Sequence, residues 1–189
     1  GHDLGLKDGL AHLLEELVKA VPDMPWIRLM YAYPGAVTAR LIDLMADTPQ
    51  ILPYLDIPLQ HGHRNTLLRM RRPANVDWVY RTIGTMRARM PDLAIRTTFI
   101  VGYPGETEEE FAALLQMVRD LQFDRVGAFT YSFEAGTPSA ALPGHLPEEV
   151  KEARHAELMA LQQGISLARN QAQVGRMLDV LVEGHAQAE

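Results

Sequence analysis

The chain of 189 residues contains no cysteine. Neither a disulfide nor a thiolate metal site can form from its own residues, and the redox compartment stays unread. Positive charge is also short: 18 Lys and Arg stand against 24 Asp and Glu, a formal net charge of -6. No overall basic field draws such a chain to nucleic acid or an anionic membrane, which leaves only a local patch for that role. No apolar run approaches the roughly 20 residues of a membrane-spanning helix. The opening Gly1-His2-Asp3 lacks the basic-then-apolar layout of a secretion signal, so a cytoplasmic location is expected. HExxH, a Walker loop, a Ser-His-Asp order and a distinctive pair of carboxylates are all missing. Repeats and low-complexity segments are missing too.

What is present is an ordinary globular balance, 47% hydrophobic and 22% charged, in which helix-like and strand-like segments alternate. Leucines and Val18 at three and four spacing predict a helix over residues 6–20, ended by Pro22. Helices are likewise expected over 36–47, 64–71, 76–90, 107–121 and 147–173, with strands over 26–32, 54–58, 93–101 and 125–131. Thr107 and Glu110 fit a capping box, followed by acids at the positive end of the helix dipole. The order is that of βα units on a parallel sheet. About four units fit in the first 145 residues, where a full eight-fold barrel needs about 250. The expected division is a partial barrel over 1–145, a connecting helix over 146–175 and the start of another module over 176–189, opening with a strand at 176–182.

In parallel βα folds chemistry gathers at the C-terminal ends of strands. Four such junctions carry unusual residues: Tyr31–Gly35, Asp56–Gly62, Ile100–Thr107 and Tyr131–Pro138. If the strands are neighbours in chain order, all four rim one mouth. Gly102 would let the backbone approach a flat ligand, and Pro104-Gly105 makes a tight turn; alone, the segment fits a plain turn equally well. Gln60 and His61 would both face the mouth as hydrogen-bonding groups. Arg64, Arg69, Arg71 and Arg72 suit either a carboxylate or phosphate clamp or a solvated helix face. A phosphate-binding barrel would want a glycine-rich loop after the last strand, for which Glu134-Ala-Gly136 is a poor candidate.

Five strings carry a more specific signal: Asp56-Ile-Pro-Leu-Gln-His61, Leu68-Arg-Met-Arg-Arg-Pro73, Arg96 to Phe111 with its Gly102-Tyr-Pro-Gly-Glu106 core, Phe123 to Ser132, and Gly136-Thr-Pro138. Together they resemble the radical S-adenosylmethionine methylthiotransferases over nearly the whole chain. Met70-Arg-Arg-Pro73, Arg96-Thr-Thr98 and Arg125-Val-Gly-Ala128 look like the branch that modifies an aspartate of a small-subunit ribosomal protein. They look less like the MiaB branch, which acts on an adenosine of transfer RNA.

The resemblance implies an α/β fold, a six-stranded partial barrel of TIM type whose strands three to six lie here. It also implies that the three cysteines holding a [4Fe-4S] cluster belong to parts of the parent protein outside this chain, as does a second cluster. The stretch 176–182 would open a substrate-engaging TRAM module. In the family the cluster reduces S-adenosylmethionine, and the deoxyadenosyl radical that results abstracts hydrogen from the carbon to be thiomethylated. By similarity, Ile100, Val101, Gly102 and Tyr103 would lie along the adenine, with Tyr131 and Ser132 beneath its edge. Gln60 and His61 would lie near cofactor or substrate, and Arg96 and Thr98 would face the cofactor's polar parts. No catalytic residue and no metal ligand is expected within the chain, which alone would be inactive. His63-Arg64-Asn65 departs from the small polar and acidic residues of the family pattern. A stand-alone module that binds S-adenosylmethionine without catalysis is the alternative of another class.

Overall fold

The computed structural model describes residues 5–182 and 184. The run Gly1-His2-Asp3 and most of the last seven residues, both considered above, lie outside them. Four strands, β1 (Ile27–Leu29), β2 (Ile51–Asp56), β3 (Ala94–Val101) and β4 (Arg125–Thr130), pair side by side in chain order and all run parallel. Helices α1 (Gly9–Ala20), α2 (Ala39–Asp47), α3 (Arg64–Arg69), α4 (Val76–Arg89) and α5 (Glu108–Leu121) precede or connect them, and α6 (Glu148–Gln171) follows. Short 3-10 turns sit at Pro34–Ala36 and Pro138–Ala141. Sequential parallel strands with intervening helices are what the alternating pattern implies. The expected α/β fold of four βα units is met.

Burial along β3 alternates: Ile95, Thr97, Phe99 and Val101 are buried, whereas Ala94, Arg96, Thr98 and Ile100 are not. A period of two sorts the sheet into two faces. One packs beneath the helices, joining Leu41 and Met45 of α2, Ile83 and Met86 of α4, Leu114 and Met117 of α5, and Leu158 of α6 in one core. There Phe99 and Phe123 meet edge to face at 5.8 Å. Each such side chain stabilises the fold by roughly 1.5–3 kcal/mol. The other face carries Arg96, Thr98 and Ile100, in register with Arg125, Gly127 and Phe129 of β4. Phe129 is 62% exposed there, as suits the inner wall of a barrel that four strands leave open.

The capping box forms as read: Thr107 Oγ1 accepts from the Glu110 N–H at 3.2 Å, and Glu110 Oε2 accepts from the Thr107 N–H at 3.1 Å. Several element bounds differ from those expected, α1 and α2 each beginning three residues later. β1 ends at Leu29, because Tyr31 enters the left-handed region at φ 56°. β2 begins at Ile51 and includes Pro53, which lies where the β1–β2 register slips and just before pairing with β3 starts at Tyr54. Proline's missing N–H costs no ladder bond at such a spot. The strand expected at 176–182 is in no sheet, a correction with a simple cause. A strand needs a neighbour, and none of the described residues pairs with it, leaving Met177 fully exposed. α6, read as a connecting helix, packs on β4 and α5 and places Leu158 and Ile165 in the main core.

Candidate functional site

The C-terminal ends of the strands open onto a cleft of about 440 Å³ over the uncovered sheet face. Tyr31, Ala32, Tyr33 and Pro34 after β1, Asp56, Pro58 and Gln60 at the end of β2, Arg72 after α3, Arg96 and Thr98 of β3, and Gly127 and Phe129 of β4 line it. The loop after β2 is held over β3 by a small device. Pro58 interrupts the strand, but Ile57 N–H donates to Arg96 O at 2.9 Å, and Leu59 N–H donates to Thr97 Oγ1 at 3.3 Å. Thr97 Oγ1 in turn donates to Ile57 O at 2.8 Å. Gln60 then rejoins the ladder: its N–H donates to Thr98 O and its carbonyl accepts from Ile100 N–H, both at 2.9 Å. Of two adjacent threonines, one thus pins the loop from the core side and the other faces the cleft.

This geometry sorts the residues named from the sequence. Gln60, Arg96 and Thr98 line the cleft, and Ile100 lies on the same sheet face. Val101 is fully buried among helices on the opposite face. His61, expected beside Gln60, is not in the wall of this cleft, because Gln60 takes φ 72° and turns the chain inward; both residues line the cavity next to it. Its ring is buried; Nδ1 accepts from His63 N–H at 3.0 Å, and Nε2 stands 3.3 Å from Glu106 Oε2, short of the alignment of a full hydrogen bond. Gly102 does have the positive φ (72°) that favours glycine, but the approach it permits is made by the protein. A Cβ there would sit 2.4 Å from Lys151 Cγ. Tyr103 and Tyr131 pack edge to face at 5.2 Å beside that loop, with Tyr103 Oη donating to Arg69 O at 3.3 Å. Ser132 is exposed and lines no part of the cleft. The ends of all four strands meet at one side of the sheet, but the loops after β3 and β4 stay outside the cleft wall.

Asp56 was not singled out from the sequence. It is 2% exposed, lines the cleft and has no side-chain hydrogen bond or ion pair among the described residues. An acid at the last position of an apolar strand was the signal. Arg72 and Arg96, the cations of the same cleft, also have no such side-chain partner among the described residues, and Arg96 is the register partner of Asp56. The cleft therefore offers an acceptor, two exposed cations and an amide to a ligand with groups of both signs. Aromatic walls stand beside them at Tyr33 and Phe129. A neighbouring cavity of about 360 Å³ shares Tyr33, Gln60 and Arg72 and continues to Leu67, Trp78 and Met117.

Two carboxylates are held ionised nearby. Burial alone would push Glu106 up, but His61, the Gly102 N–H and Arg154 outweigh it and hold the group below the ordinary value of 4.5. Glu110 is lowered the same way, its burial outweighed by Arg69, the Thr107 N–H and Thr66. Both serve the architecture: Glu110 binds Arg69 and Thr66 of α3 across to α5.

Residues 1–118 match the family model of the radical SAM superfamily. The chain belongs to that superfamily. Over all 189 residues it is 59% identical to a Chloroflexus aurantiacus protein named ribosomal protein uS12 methylthiotransferase RimO, covering 42% of that protein. It is 56% identical to the protein of the same name from a Roseiflexus species, covering 40% of it. The chain thus spans about two-fifths of the length of these curated relatives. Among solved structures, coproporphyrinogen III oxidase (HemN) from Escherichia coli, a radical SAM enzyme, aligns with a TM-score of 0.64 at 16% identity, over 85% of this chain and 38% of that one. The radical S-adenosylmethionine methyltransferase TsrM from Kitasatospora setae aligns at 0.53 and 16% identity, over 96% and 43%. Both speak to the fold alone. No helix among the described residues is long and apolar enough to cross a membrane.

Proposed function

We propose that this chain is the cofactor-facing part of a cytoplasmic methylthiotransferase that acts on an aspartate of the small-subunit ribosomal protein uS12. The name carried by relatives 55–59% identical over nearly its whole length supports the reading. The observation that carries it is the strand-end cleft, where Asp56, Arg96, Arg72 and Gln60 present polar groups of both signs with no side-chain partner among the described residues. S-adenosylmethionine bears an ammonium, a carboxylate, ribose hydroxyls and an adenine, and that donor set fits it. Arg96 and Arg72 would hold its carboxylate, Asp56 and Gln60 would accept from its N–H and O–H groups, and Phe129 or Tyr33 would lie against the adenine. When bound beside a reduced [4Fe-4S] cluster, it supplies the hydrogen abstraction that opens an unactivated C–H bond to a methylthio group. The cluster's thiolates are not among this chain's residues, so they would come from elsewhere in the full-length protein. Behind the cleft, the core of sheet and helices keeps water from the back of the site.

The test is methylthiolation by the full-length, cluster-reconstituted protein, offered uS12 and transfer RNA separately and read by mass spectrometry. Product on an aspartate of uS12 is expected. Product on transfer RNA would move the chain to the MiaB branch. Cofactor binding with no product on either would leave the non-catalytic module.

A further inference from the structure

Glu106 ties three segments of chain together in the core. Its two carboxylate oxygens accept from the Gly102 N–H at 3.1 and 3.0 Å, so the turn after β3 closes on its own acid. His61, from the loop after β2, faces it at 3.3 Å. Arg154 of α6 donates through Nη1 to Glu106 Oε1 at 2.7 Å and to Glu106 O at 3.1 Å, and through Nη2 to Glu108. Side chains of His61 and Glu106 are fully buried and that of Arg154 is 5% exposed. One helical turn earlier, Lys151 donates to Tyr131 O at 3.1 Å and lays its stem over Gly102.

A buried ion pair contributes little net stability, because desolvation offsets the attraction, but it fixes geometry strictly. Here the geometry fixed is that of two strand-end loops. Gly102 is the residue directly after β3, and His61 directly follows Gln60, which lines the cleft. No residue of α6 lines that cleft.

We infer that Arg154 and Lys151 are positioning residues: from behind the sheet, α6 holds the ends of β2 and β3 in the shape that receives S-adenosylmethionine, and so sets the affinity of a cleft it does not touch. The inference rests on the cofactor reading above. It predicts a separation between stability and binding. In the full-length protein, E106Q leaves Arg154 with Glu108 as its one remaining carboxylate, R154M leaves Glu106 with only His61 and the Gly102 N–H, and each lowers the unfolding temperature. The double variant E106Q/R154M removes both charges and unfolds closer to the unmodified protein than either single variant. Its S-adenosylmethionine affinity, measured by equilibrium binding, stays at least tenfold weaker, and R154K, which keeps the charge without the forked geometry, is weakened as well. Amide exchange supplies a readout independent of the cofactor: Gly102 and Gln60 exchange faster in the double variant and in K151A. A double variant with restored stability and unchanged affinity would overturn the inference. Unchanged protection at Gly102 and Gln60 would do so too. Absence of S-adenosylmethionine binding by the unmodified protein would instead fail the cofactor reading and leave the exchange result to decide this one.

Discussion

Asp56 and Arg96 are register partners on adjacent parallel strands, both line the same cleft, and neither side chain has a hydrogen-bond or ion-pair partner among the described residues. Asp56 is 2% exposed, and the part of its carboxylate that water reaches opens onto that cleft. The expected consequence is a trade between stability and binding. Asp56→Asn should raise the unfolding free energy by on the order of 1 kcal/mol, since a neutral amide costs less to bury than a charge. The same change should weaken S-adenosylmethionine binding by the full-length protein about tenfold, or about 1.4 kcal/mol. Urea denaturation and equilibrium binding check the two halves. A variant that loses stability and keeps affinity would make Asp56 a structural acid.

Arg96 is exposed and its side chain has no partner among the described residues, so its removal has little packing to disturb. Arg96→Gln should change stability by no more than about 0.5 kcal/mol. If it clamps the cofactor's carboxylate it should cost about tenfold or more in affinity, with Arg96→Lys recovering only part, because an ammonium cannot reproduce the guanidinium fork. Equal binding by all three proteins would remove Arg96 from the site.

How far the sequence discloses this arrangement depends on what each feature rests upon. β3, α5 and their capping box are written locally, in a period of two, a Thr-x-x-Glu pattern and a glycine turn, and they lie within a residue of where those signals put them. Chain-order parallel pairing followed from the alternation of elements. The side on which a loop residue ends up is another matter. His61 and Gln60 are adjacent, yet one enters the core and the other the cleft, because Gln60 adopts a left-handed backbone that its residue type does not announce. Lys151 and Arg154 are cations in a long polar helix, yet they are buried, and their partners, Tyr131 O and Glu106, lie 20 and 48 residues away. Pairing at that separation has no local signature.

Gly102 is constrained twice, by φ 72° and by Lys151, whose Cγ would lie 2.4 Å from an added Cβ. Gly102→Ala should therefore destabilise by more than the roughly 1 kcal/mol of a left-handed alanine alone. In a Lys151→Ala background the contacts with Cγ and Cδ are removed while the residue's Cβ, at 3.0 Å, and the backbone part remain, so the two substitutions should couple. A double-mutant cycle read by thermal or urea unfolding measures the difference. Strict additivity would mean that the lysine stem simply swings aside.

The acid limb of stability follows from Glu106 and Glu110. Both carboxyls are held below their ordinary 4.5 in the folded chain, burial being outweighed by His61, Gly102 N–H and Arg154 for one and by Arg69, Thr107 N–H and Thr66 for the other. Above pH 4.5 both are ionised in folded and unfolded chains alike, and their contribution is complete. As pH falls below 4.5, the unfolded chain binds protons first, so stability falls and goes on falling until the folded carboxyls are protonated as well. Urea unfolding from pH 7 to pH 3 should show that decline. Glu110→Gln, which cannot titrate and keeps an oxygen for the Thr107 N–H, should lower stability at pH 7 and flatten the decline. A variant whose decline matches that of the unmodified chain would place the acid sensitivity elsewhere, since a group that no longer titrates cannot contribute proton linkage.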